Sequence, residues 1–105
     1  MSGSGGGGYE PPQRTKFNCD TTIIVTDVSS IDIKVLSKYI VGDTLEVILG
    51  SNDNLILEDG DGEILGAILH LNTVDIVECI KNGATYNATI TIINIPSCKV
   101  KIQRV

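Results

Sequence analysis

The sequence predicts an α+β, β-rich fold: a small, curved antiparallel sheet or barrel of about six strands with two short helices, in the order β-α-β-β-β-α-β-β. Three observations lead there. Runs of β-branched and aliphatic residues follow one another closely, separated by turns rich in Gly, Asn and Asp. Two stretches instead repeat apolar residues at helical spacing and stop at a glycine. The whole chain is 105 residues, room for one domain.

The first strand is expected over Thr21–Val28, where β-branched residues dominate. Ser29 and Asp32 then have the spacing of a capping box, and Ile31, Val35, Leu36, Tyr39 and Ile40 fall on one helical stripe that ends at Gly42. Thr44–Leu49 alternates Leu45, Val47 and Leu49 on one face. Gly50-Ser51-Asn52-Asp53-Asn54 is a turn by composition. Leu55–Glu58 and Glu63–Leu69 pair about the tight turn Asp59-Gly60-Asp61-Gly62. Gly66, inside the second of these strands, signals a bulge or a close backbone approach. Asn72 and Thr73 cap a second helix, with Asp75 in its first turn and Val74, Ile76, Val77 and Ile80 on its buried face; Lys81 and Gly83 end it. Thr85–Ile93 is a long β-branched strand. After the turn Asn94-Ile95-Pro96-Ser97, Cys98–Val105 sets Val100 and Ile102 against Lys99, Lys101 and Gln103, one face dry and one wet.

Residues 1–16 form a Gly/Pro-rich lead, flexible by composition, and residues 17–105 a single compact domain. The N-terminus has no basic region followed by an apolar run, and no stretch is long and apolar enough to span a membrane, so a cytoplasmic location is expected. There the Asn87-Ala88-Thr89 sequon would be idle. The three cysteines, Cys19, Cys79 and Cys98, have no Cys-x-x-Cys spacing, and their odd number argues for reduced thiols rather than a disulfide framework. With His70 as the one histidine, they lack the paired local ligands of a zinc site.

Catalytic chemistry finds little to work with. Asp59-Gly60-Asp61-Gly62-Glu63 has the alternating oxygens of half a calcium loop, but Ile64 stands where such a loop needs glycine and His70 where it needs glutamate. A solvated turn is the expectation. His70, at a strand end, reads as a surface or cap residue, and no nucleophile elbow or phosphate-cradling loop is present. No enzyme activity, metal or cofactor is therefore expected. A net charge of −5 disfavours a broad electrostatic grip on nucleic acid.

From Val41 onward the chain resembles the HIRAN domains. The resemblance rests on Val41-Gly42-Asp43-Thr44-Leu45-Glu46-Val47, Asp61-Gly62-Glu63-Ile64-Leu65-Gly66 and Ile80-Lys81-Asn82-Gly83-Ala84-Thr85-Tyr86-Asn87-Ala88-Thr89-Ile90. It implies an OB-like barrel and, as in some HIRAN domains, a hold on single-stranded DNA at a free 3′ end beside a nuclease or helicase. The sequence departs from the pattern where Gly50-Ser51-Asn52-Asp53-Asn54 replaces the family's acidic-Pro-Asn-Asp segment. Under this reading Tyr86, Lys99, Lys101 and Arg104 would contact the nucleic acid.

The leading expectation is different. It is a non-catalytic interaction module that binds a protein partner, or a second copy of itself, through an exposed C-terminal edge strand, as an accessory protein. Single-stranded DNA is the alternative ligand, and no membrane partner is expected.

Overall fold

The computed structural model describes residues 17–70 and 72–105. The glycine- and proline-rich lead expected over residues 1–16 lies outside the described residues. In order come β1 (Ile24–Ser29), α1 (Ile33–Leu36), β2 (Thr44–Leu49), a 3-10 turn (Ser51–Asp53), β3 (Leu55–Glu58), β4 (Ile64–Ile68), α2 (Thr73–Lys81), β5 (Tyr86–Asn94) and β6 (Ser97–Arg104). The six strands close into an antiparallel barrel in the order β1-β4-β3-β2-β5-β6. The expected element order is present, and the sheet is a closed barrel. None of the described helices is long and apolar enough to cross a membrane.

Alternation decides which side chains fill the barrel. Ile24, Val28, Leu45, Val47, Leu55, Leu57, Ile68, Ala88, Ile90, Val100 and Ile102 point inward and are buried. The intervening residues form the outer wall. Val25 pairs with Lys101 and Lys101 with Thr89, giving one outer row. Asp27, Lys99 and Ile92 give the next.

Two irregularities break the alternation. Leu57 pairs with Gly66 but Glu58 pairs with Ile64, so Leu65 is the extra residue of a β4 bulge. The bulge turns Ile64 outward and leaves both Leu65 and Gly66 buried. Gly66 also meets β1 closely: a Cβ there would stand 2.6 Å from the Ser29 carbonyl oxygen and 2.6 Å from Val28 Cγ1. Both physical reasons for a strand glycine thus operate here. On β5, Ile90 pairs with Val100 and Ile92 with Lys99, which makes Thr91 the extra residue. Its hydroxyl donates to the Lys99 carbonyl at 3.1 Å.

The expected exposed edge is absent, and this corrects the sequence reading of β6. β6 pairs with β5 along its length and with β1 from Lys99 to Ile102. From Lys99 to Ile102 it is paired on both sides, because the closed barrel brings the C-terminal strand back against the first one.

The first helix is shorter than its apolar stripe suggests. Ser29 is the last residue of β1 and Ser30 has φ of 55°, so no capping box forms between Ser29 and Asp32. Asp32 is itself the N-cap, accepting from the amides of Lys34 and Val35 at 3.0 and 3.3 Å. The helix stops after one turn, and Ile40 is exposed. The Asp32 amide donates to the carbonyl of the bulged Leu65 at 2.8 Å, which fixes α1 against β4.

At the opposite end α2 buries Ile76, Val77 and Cys79, while Val74 is exposed. Asn72 does not cap the helix with its side chain; its amide group donates to Asp75 instead. The reciprocal bonds lie between His70 and Thr73: the His70 amide donates to Thr73 Oγ1 at 3.1 Å and the Thr73 amide to the His70 carbonyl at 2.9 Å.

Candidate functional site

The four residues singled out for nucleic acid do not form one surface. Tyr86 begins β5 on an inward position and is 1 % exposed. Its hydroxyl donates to the Cys19 carbonyl at 2.8 Å, so the ring offers no face on which a base could stack. Lys99 and Lys101 do share the outer wall, two positions apart on β6. Lys99 Nζ lies 3.5 Å from Asp27 Oδ1 on the neighbouring strand, and Arg104 is ion-paired with Asp20. Lys101 makes no ion pair with a described residue.

The cysteines correct the expectation of three reduced thiols. Cys19 and Cys79 form a disulfide, with Cα atoms 5.8 Å apart. The pairing could not be found from spacing, because the two residues are 60 positions apart and meet only when α2 packs beside the turn ahead of β1. Cys98 remains a free thiol, buried on an inward position of β6, and burial pushes its pKa up.

The acidic turn between β3 and β4 is occupied with its own construction. Asp59 Oδ1 accepts from the amides of Asp61 and Glu63 at 2.9 and 2.8 Å, and Asp59 Oδ2 accepts from the Tyr39 hydroxyl. The Tyr39 hydrogen bond holds the Asp59 carboxyl below its ordinary pKa, with the Glu63 amide adding to it. Burial raises the Tyr39 pKa, and the Asp59 bond raises it further. Lys38, just past α1, pairs with Glu63. These contacts tie α1 to the turn. His70 Nδ1 accepts from the Asn72 amide at 3.1 Å.

A concave feature lies at the α1 end of the barrel. A cleft of about 370 Å³ opens between the end of β1, the start of α1 and the β5–β6 turn. Val28, Ile31, Ile33 and Pro96 supply its apolar wall, Ser30 and Ser97 its hydroxyls, and Asp27 and Cys98 its titratable groups among the described residues. A second hollow of about 180 Å³ shares Asp27, Ser97 and Cys98 with it and runs on to Ile92, Asn94 and Lys99. Large apolar side chains rim the pair: Ile33 is 50 % exposed and Ile92 51 %. Ile95, in the turn between β5 and β6, is also exposed. The Thr91 bulge is what turns Ile92 out of the barrel. Sequence reasoning missed this cleft because its walls come from three separate segments.

Among the described residues no cluster of His, Cys, Asp and Glu is arranged to hold a metal ion. In comparisons with known proteins, no family model, no curated protein and no solved structure matches this chain.

Proposed function

We propose that the protein is a non-catalytic interaction module that receives a segment of a protein partner in the cleft between α1 and the β5–β6 turn. The observation that carries this reading is the exposed apolar side chains gathered at the cleft beside an exposed carboxylate: Ile33, Ile92 and Pro96 with Asp27. Exposed isoleucines gathered around a concavity lose contact with water when a partner side chain enters, at about 25 cal/mol per Å² covered. The Asp27 side chain is 75 % exposed and meets Lys99 only at 3.5 Å. Its carboxylate remains open to a second cation. The segment that fits is therefore an apolar anchor residue next to a lysine or arginine. The cytoplasm is the proposed working location, as the sequence suggests.

The single-stranded DNA reading inferred from the HIRAN resemblance is the less favoured proposal, since Tyr86 is internal and two of the three cations are paired. One experiment addresses both. A displayed peptide library is selected on the protein, and the selected peptides are titrated against the protein and against Ile33→Asp and Asp27→Lys. Selection of an apolar–basic pattern, with affinity lost at least tenfold in both variants, supports the cleft. Selected peptides that bind both variants unchanged sink it. In parallel, labelled single strands with free or blocked 3′ ends are titrated at several salt concentrations. End-dependent binding that weakens in Lys101→Glu would move the assignment to nucleic acid.

A further inference from the structure

We propose that the Cys19–Cys79 disulfide is a reducible latch: it holds the turn ahead of β1 onto the α2 end of the barrel, and thiol–disulfide exchange releases that turn while the barrel stays folded. The inference concerns the end of the molecule opposite the cleft and does not depend on what the cleft binds.

The turn over residues 17–22 is largely self-contained. The amides of Thr21 and Thr22 donate to the Asn18 carbonyl, the Asn18 amide to Thr22 Oγ1, and the Asp20 amide to Asn18 Oδ1. Besides packing by Phe17 and Cys19, its links to the other described residues are three: the disulfide, the Tyr86 hydroxyl on the Cys19 carbonyl, and the exposed Arg104–Asp20 ion pair. An exposed ion pair and one neutral hydrogen bond are weak tethers. The barrel, in contrast, is joined by strand pairing from Ile24 to Arg104 and does not use the turn. Losing one cross-link removes less than the usual stability of such a domain.

The two sulfurs are unequally placed. Cys79 is 4 % exposed on α2, whereas Cys19 is only half-buried. Attack therefore falls on Cys19. A thiolate of a dithiol reductant bonds to Cys19 Sγ, and Cys79 Sγ leaves with the bonding electron pair and takes a proton. The second thiol of the reductant then displaces Cys19. The protein gains two thiols and two electrons, and the reductant is left as a disulfide. Disulfides are rare in reducing compartments, and those that occur there are usually transient or redox-sensing.

The test compares hydrogen exchange of the full chain, oxidised and after reduction by a dithiol, in wild type and in Cys98→Ala, which removes the third thiol. Exchange over residues 17–22 should rise on reduction at least tenfold more than exchange in β2 and β3, whose smaller rise reflects the freed unfolded chain, and should return on reoxidation. Cys19→Ser should show the fast pattern without reductant. An equal rise in exchange over residues 17–22 and in β2 and β3 would make the bond a global staple and overturn the latch. Unchanged exchange over residues 17–22 would overturn it, as would alkylation of both Cys19 and Cys79 in the unreduced protein.

Discussion

The Tyr86 hydroxyl donates to the backbone carbonyl of Cys19 at 2.8 Å, across 67 residues of chain. It gives the polar tip of an otherwise enclosed ring a partner and gives the turn ahead of β1 a fixed seat. Tyr86→Phe keeps the ring and removes the donor. It should lower stability by about 0.5–1.5 kcal/mol in urea denaturation. Tyr86→Ala also empties part of the barrel and should cost about 3–5 kcal/mol. Equal costs for the two variants would mean that the ring contributes nothing.

Thiol counting checks the cysteine pairing directly. Denatured without reductant, the chain should react with one equivalent of a thiol reagent, at Cys98, and with three after reduction. In the folded protein Cys98 should react far more slowly, because it is 2 % exposed and its thiol is held protonated by burial. Cys79→Ser should cost about 2–4 kcal/mol, most of it through the released unfolded chain.

Gly66→Ala tests the seam between β4 and β1. The added methyl would stand 2.6 Å from a backbone oxygen, which no side-chain rotation can relieve. A loss of about 1–3 kcal/mol is expected in thermal or urea unfolding. Gly60→Ala is the control, since nothing lies within 4 Å of a Cβ there.

Stability should fall on both sides of neutrality through Tyr39 and Asp59. The Asp59 carboxyl is held below its ordinary 3.8 by the Tyr39 hydroxyl and by backbone amides. Its contribution is complete above that value and is lost as the pH falls through the lower, folded one. Burial and the same bond raise Tyr39 above its ordinary 10.0, so its contribution is complete below pH 10 and is lost as the pH rises further. Melting curves across pH should show both limbs. Asp59→Asn should flatten the acid limb and Tyr39→Phe the alkaline one; unchanged limbs would remove the pair from the account.

Much of this architecture was legible in the chain. Local residue types determined the strands around Val47, Leu57, Ile90 and Val100, the tight turn at Asp59–Gly62 and the meaning of Gly66, because alternation and turn chemistry act over a few neighbouring residues. The sequence also marked both helices, though it overran α1, since the Ile31–Ile40 stripe cannot reveal that Ser30 leaves helical geometry and Asp32 takes over the cap. Tertiary structure alone decided the rest. Closure of β6 onto β1 removed the free edge, and packing of α2 beside the turn at Cys19 made the disulfide. The extra residues Leu65 and Thr91 reversed the facing of Ile64 and Ile92, and three distant segments met around the cleft beside Asp27. Each of these depends on which distant residues become neighbours, and that is fixed by how the whole barrel closes.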